Sequence, residues 1–332
     1  MKRTACLYTI NNGVGLTADV SLIQDLLIDE YDIDVVYTQH DIADPDQDSI
    51  TLAQRHGAFA NYDVGIFIQE YDIQWLDRNK VNILIANEEW LQSEKLLLLK
   101  QFDKIITKSL FAKVLLSPYN NNIINCGFIS RDRYVPNIKK QEKFLHVMGK
   151  SAQKGSEHVL TSFTSTCSQL PLTVIESRDG CTFKNLGANL NFNYIKEYIS
   201  EADLNFNCNS HTTHLCPSYN EGWGHYLYEG LSCGALLYVT KLPMFLEWLD
   251  PDLVVFLDCT FQRCSEDIFF LNFRNNQYPH QFGWQVSQED LDSKILNHKH
   301  YLENHKPDLA RQFFKHLIDQ NSKKLFKELT DV

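Results

Sequence analysis

At 332 residues, with 44% hydrophobic and 22% charged side chains, the chain is long enough for two ordinary domains and too balanced in composition for a disordered, collagenous or coiled-coil protein. Its 31 Lys and Arg against 42 Asp and Glu leave a formal charge of −11. An acidic surface repels phosphate backbones and anionic lipid, so nucleic acid is not expected as a partner.

In chain order, Ala5-Cys6-Leu7-Tyr8-Thr9 reads as a strand broken by Gly13-Val14-Gly15, and Leu16 to Ile28 carries apolar residues at helical spacing. Strands are expected again at Asp34–Tyr37, Val64–Ile68, Asn82–Ile85, Lys104–Ile106 and Ile123–Cys126. Such runs separated by helices imply a parallel sheet covered on both faces. The polar stretch from Pro136 to Lys143 has linker composition. The pattern then restarts at Phe144–Met148, with a helix from about Ser156 and strands at Leu172–Ile175, Leu204–Phe206, His214–Cys216, Ala235–Val239 and Leu253–Phe256. From Pro307 onward the chain is helical and amphipathic.

Nine cysteines without a CxxC pair exclude a zinc ribbon or a thioredoxin motif and read as reduced, mostly core thiols. The apolar stretch Thr4–Ile10 is too short for a signal-peptide core, and the longest aliphatic run, Leu96–Leu99, is too short to span a bilayer. A cytoplasmic protein without a transmembrane segment is expected.

Three segments can carry chemistry. Gly13-Val14-Gly15-Leu16-Thr17-Ala18 fits GxGxxA between a strand and a helix. It is either a phosphate- or substrate-facing loop or a simple glycine turn, and Asp41 is near the position of a dehydrogenase's ribose-binding acid. Pro217-Ser218-Tyr219-Asn220-Glu221-Gly222-Trp223-Gly224-His225-Tyr226-Leu227-Tyr228-Glu229 runs out of a strand, with Glu221 and Glu229 eight positions apart. If the helix begins near Gly222, about 1.5 Å of rise per residue places the two acids about 12 Å apart, the reach from a sugar to a nucleotide ribose. Gly149-Lys150-Ser151-Ala152-Gln153-Lys154-Gly155 follows another strand, and its two lysines suit a diphosphate leaving group. The Asp-x-Asp pairs at 32/34, 44/46, 250/252 and 290/292 read as solvated caps and turns rather than a metal cage, and His211-Thr212-Thr213-His214 lacks the HExxH arrangement. Cys259 and Cys264 read as core or loop thiols.

The Glu221-x7-Glu229 frame resembles the retaining glycosyltransferase family 4, also called glycosyl transferases group 1. Gly149-Lys150…Lys154-Gly155 resembles that family's donor-phosphate motif, Asn125-Cys126-Gly127-Phe128 its segment closing the N-terminal domain, Met244–Glu247 its turn after the next strand, and Asn11–Ala18 its N-domain glycine loop. The resemblance spans about residues 5 to 330. Two departures stand out: lysine occupies position 150 where arginine is common, and Asn87-Glu88-Glu89-Trp90 stands where many relatives carry a histidine.

The resemblance implies an α/β chain of GT-B fold, with two Rossmann-like domains whose parallel sheets face each other across a cleft. An acceptor-side domain over 1–138, a nucleotide-sugar domain over 139–312 and a returning helix over 313–332 are expected, with the hinge between 134 and 144. It implies metal-independent transfer from a UDP- or GDP-sugar, with retention, to a glycan, lipid or protein acceptor, with no cofactor beyond that co-substrate. Lys150 and Lys154 would hold the phosphates; Glu221 with Gly222, Trp223 and Gly224 the sugar; Glu229 the ribose; and Gly13, Gly15 and Gly149 would permit close approach. Asn87 and Glu88 are candidate donor or acceptor contacts or a helix cap, and His225 is a further candidate. A nucleotide-sugar epimerase, a phosphorylase or a non-catalytic sugar-nucleotide or glycan-binding module are the alternatives on the same fold.

Overall fold

The computed structural model describes residues 2–10, 15–37, 61–69, 71–91, 93–149, 151–176, 191–197, 199–263 and 282–332. Gly13, Asp41, Asp44, Asp46, Lys150, Cys264 and the glycine-loop residues 11–14 lie outside the described residues. The chain divides into two compact units, one made of residues up to Ile129 with Ile318–Val332, the other of residues from Ser130 to Leu317.

The first unit holds one six-stranded sheet: β1 (Arg3–Thr9), β2 (Tyr31–Tyr37), β3 (Tyr62–Ile68), β4 (Asn79–Ala86), β5 (Lys104–Thr107) and β6 (Ile123–Asn125), in the order β2-β1-β3-β4-β5-β6. Every neighbouring pair is parallel. The central strands are apolar on both faces, as a sheet sandwiched between helices requires. One face is filled by aromatics: Tyr8 stacks on Phe67 at 4.4 Å between ring centroids, and Phe102 meets Phe67 edge-on. The helix Gly15–Leu27 buries Leu16, Val20, Ile23 and Leu27 at the spacing read from the sequence.

The second unit repeats the plan with β7 (Gln141–Gly149), β8 (Leu172–Glu176), β9 (Phe192–Lys196), β10 (His211–Cys216), β11 (Leu236–Thr240) and β12 (Val254–Leu257), ordered β12-β11-β10-β7-β8-β9. All pairs are again parallel. A short antiparallel hairpin, β13 (Cys259–Arg263) with β14 (Phe282–Val286), is added after β12. Helices Ser156–Thr164, Glu201–Ser210, His225–Ser232, Pro243–Trp248, Gln288–Leu296 and His298–Asn304 belong to this unit. The last helix, Pro307–Thr330, starts in the second unit and ends in the first.

Three sequence expectations are corrected. Leu204–Phe206 is not a strand but lies inside the helix Glu201–Ser210, where the Ser200 side chain accepts from the Asp203 N–H and Glu201 and Asp203 sit in the first turn. Two apolar residues two apart imitate strand alternation, but the cap decides for helix. The polar stretch ending at Lys143 is not all linker, because β7 begins at Gln141; its first three residues are exposed and carry no hydrophobic signal. The helix after β10 begins at His225 rather than near Gly222. Glu221 therefore lies in the loop, and its separation from Glu229 is not a helical rise.

Candidate functional site

In the second sheet the chain leaves β7 toward β8 and β9, then returns to place β10, β11 and β12 on the other side of β7. The order reverses between β7 and β10. In open α/β sheets ligands bind outside the carboxyl ends of the strands at such a reversal. The segments that follow β7 and β10 there, 151–155 and 217–224, adjoin the richest runs of candidate residues.

The loops are fastened to one another. The Tyr219 N–H donates to the Gln153 carbonyl at 2.7 Å, and the Tyr219 hydroxyl donates to Glu157. Gly155 has φ +62°, and a Cβ there would lie 2.0 Å from the Pro217 carbonyl oxygen, so only glycine lets the loops approach this closely. Beneath them His146 is fully buried, with Nδ1 2.8 Å from the Leu215 carbonyl and Nε2 2.8 Å from Ser156 Oγ. Burial pushes its pKa down to about 4, so it is a neutral ring that donates from Nδ1 and accepts from Ser156.

Lys154 brings the cation. Its Nζ lies 4.0 Å from the centre of the Tyr226 ring and 3.4 Å from the Val147 carbonyl, and a Cβ on Gly149 would be 3.9 Å from it. Burial lowers its pKa, and the negative charge of Glu221 is the largest opposing influence. Glu221 is anchored by Ser218, whose hydroxyl donates to Oε1 at 2.8 Å. Having spent its proton there, Ser218 Oγ accepts from the Tyr226 hydroxyl at 2.6 Å. Gly222 continues the loop. Gly224, at φ +88°, turns the chain into the helix His225–Ser232, and a Cβ there would press on the Phe245 ring at 3.0 Å.

Trp223 is buried. Its indole stacks on Tyr228 at 4.1 Å and donates to Ser130 Oγ at 2.9 Å. His225 Nδ1 stands 3.0 Å from the same Ser130 Oγ. Glu229 forms a buried ion pair with Arg133, Nε to Oε2 at 2.7 Å. Burial works against the Arg133 charge, but Glu229 and Glu201 outweigh it and raise its pKa. The second unit thus gathers Gly149, Lys154, Glu221, Gly222, Trp223, Gly224, His225 and Glu229 on and beside two adjoining loops.

Gly15, Asn87 and Glu88 belong to the first unit. Gly15 is the first residue of its helix. Asn87 precedes the short turn Glu88–Trp90 without capping it by its side chain; its Nδ2 instead donates to Gln69 Oε1 at 2.7 Å, and Glu88 is buried. The described Asp-x-Asp residues serve local structure: Asp250 accepts from the Asp252 N–H at 2.9 Å, Asp290 pairs with Lys294 at 2.7 Å, Asp292 accepts from Ser162, and Asp34 accepts from Tyr62. His211 and His214 are buried and bonded to Thr173 and the Cys208 carbonyl. Six of the seven free cysteines described are buried, Cys259 being the half-buried one.

The sequence assigns no role to Ser130, Arg133, Ser218 or Tyr226. Ser218 and Tyr226 lay inside the motif but had no partner visible in one dimension. Arg133 sits in a polar stretch with no periodicity, and only its burial marks it.

No family model matches the chain, and no curated protein sequence matches it. Solved structures do. A sucrose-phosphate synthase from Thermosynechococcus elongatus superposes with a TM-score of 0.66 at 14% identity, covering 98% of this chain and 96% of its own. WaaG, a glycosyltransferase involved in lipopolysaccharide biosynthesis, gives 0.63 at 14% identity over 99% of this chain and 100% of its own. HepE of Anabaena, solved with UDP and glucose, gives 0.64 at 11% identity over 99% and 100%. The chain has their fold, GT-B, with two Rossmann-like domains. Among the described residues no helix is long and apolar enough to cross a membrane.

Proposed function

We propose that the chain is a cytoplasmic glycosyltransferase that moves a hexose from a nucleotide-diphosphate sugar, UDP- or GDP-linked, to a glycan, lipid or protein acceptor, with retention and without a divalent metal. The observation that carries this is the joining of the Lys154 loop to the Glu221 loop at the strand-order reversal, in a fold shared with a solved structure that holds UDP and glucose. Departure of the diphosphate is the demanding step, because its charge grows as the glycosidic bond breaks. Lys150 and Lys154 meet that charge, and the N–H groups that open the helix after Gly224 add their dipoles. Glu221, held by Ser218, accepts from sugar hydroxyls; Glu229 accepts from ribose hydroxyls.

A thermal-shift panel of UDP-, GDP- and ADP-sugars tests the donor class, since a ligand at 100 times its Kd stabilises the folded chain by about 2.7 kcal/mol. Product analysis with a labelled donor then separates transfer from epimerisation, phosphorolysis or binding alone. Activity in excess EDTA is expected to persist; complete loss restored by manganese overturns the metal-independent route. Glu221→Gln lowers kcat by tens- to about a thousand-fold, because its contact strengthens as charge separates. Glu229→Gln acts mainly on donor KM, because a ribose contact is the same in ground and transition states.

A further inference from the structure

We propose that Arg133 is a positioning residue for donor binding: it sets the Glu229 carboxylate so that one oxygen is held and the other is presented to the nucleoside. This rests on the reading of Glu229 as the ribose acceptor. Arg133 is the third residue past Ser130, where the chain enters the second unit, and it is 8% exposed. Its backbone is fastened on both sides, with the N–H donating to Ser232 Oγ at 2.9 Å and the carbonyl accepting from Asn209 Nδ2 at 2.7 Å. The next residue is fixed as well: the Arg311 guanidinium lies 3.4 Å from the centre of the Tyr134 ring.

The guanidinium is shared between two acids. Nε meets Glu229 Oε2 at 2.7 Å, while Nη1 donates to Glu201 Oε2 at 2.6 Å and to Asn205 Oδ1 at 2.8 Å. A planar fork pinned by Glu201 and Asn205 fixes where its positive charge sits, and the attraction of that charge holds Glu229 Oε2 against Nε as an ion pair rather than as an aligned hydrogen bond. The pair engages Oε2 of Glu229, and Oε1 is the oxygen left for a hydroxyl. A buried ion pair is a poor device for stability, since well-packed apolar residues do as well or better, so stability alone does not account for one built onto a motif acid. The same segment also bonds Trp223 and His225 through Ser130.

The test uses the full chain and its Arg133→Met and Arg133→Lys variants, titrated calorimetrically with UDP, GDP and ADP and with their 2′- and 3′-deoxy counterparts. The parent is expected to favour a ribonucleotide about tenfold over a deoxy form, as befits a hydrogen bond to a charged group. In Arg133→Met that preference falls toward one and donor KM rises far more than kcat falls. Arg133→Lys, which keeps the charge but cannot span Glu229 and Glu201 together, retains only part of the preference. A full preference in either variant, with only the melting temperature lowered, overturns the proposal and leaves Arg133 a structural residue. Tighter binding in Arg133→Met also overturns it, because Arg133 would then be blocking Glu229. A parent that binds nucleotides but ignores the ribose hydroxyls refutes the role of Glu229, and a parent that binds none of the nucleotides refutes the transferase reading itself.

Discussion

The two units are built on the same plan but treat charge differently at the carboxyl ends of their strands. In the first, Lys108 follows directly on β5 and pairs with Asp19 of the first helix at 3.0 Å, with both side chains at most 3% exposed and the ammonium 4.0 Å from the centre of the Phe128 ring. That charge is consumed inside the fold. In the second, Lys154 follows β7 and rests on an aromatic ring and a carbonyl, with Glu221 acting on it through space. Its positive charge is not closed into an ion pair among the described residues. Lys108 is thus neutralised inside its unit, whereas Lys154 keeps a charge that the proposed function assigns to a diphosphate.

The largest expected effect breaks the closed pair. Lys108→Met strands a buried Asp19 and should cost about 3–5 kcal/mol of stability, read as a lowered urea midpoint. Replacing Asp19 by Leu in the same chain should recover part of it. If Lys108→Met instead kept its midpoint and lost donor affinity, the contrast between the units would fail, because Lys108 would be a site residue.

Lys154→Met should show the opposite signature. Turnover falls about 10²–10³-fold, roughly 2.7–4 kcal/mol of transition-state stabilisation, while the melting temperature holds or rises. The sign follows from linkage. With its folded pKa depressed, the unfolded chain binds this proton more tightly, so the lysine destabilises the fold at neutral pH and the penalty fades as pH rises toward 10.5.

His146 sharpens the comparison from below. Its pKa falls from 6.5 to about 4, so the unfolded chain takes up a proton between those values and the folded chain does not. Stability is fully present above pH 6.5 and should fall by about 3 kcal/mol as pH drops to 4. Urea midpoints measured at pH 7 and 4.5 should converge in His146→Gln. Buried His211 and His214, whose pKa values are also lowered by burial, leave a residual slope of the same sign.

The smallest effect concerns the helix that carries Glu201. Ser200→Ala removes its cap and should cost about 1 kcal/mol, seen as a small drop in melting temperature. A loss of ribose preference in that variant would tie the Glu201 helix to Arg133 more tightly than the geometry requires.

Most of the architecture was legible in the sequence, because parallel strands buried on both faces must be short continuous apolar runs and their covering helices must carry one apolar stripe. β3, β4, β5, β8, β11 and β12 obey that rule, and so does the helix that begins at Pro307. β9 and the β13–β14 hairpin do not: Phe192–Lys196 is half-exposed at a sheet edge, and Cys259–Arg263 lies outside the main sheet, so neither had to be apolar. The glycines, lysines and glutamates of the two loops were visible as residue types that chemistry needs at strand ends. Their relation was not, because it depends on strand order. Residues 153 and 219 are far apart in the chain and meet only because β7 and β10 become neighbours. Arg133 is the extreme case: composition shows one more arginine in a polar stretch, and only the packing of Ser232, Asn209 and Glu201 around it makes that charge a fixed partner of Glu229. Periodicity is a local property that a single chain displays residue by residue, whereas the pairing of charges is set by distance in space, and that exists only after folding.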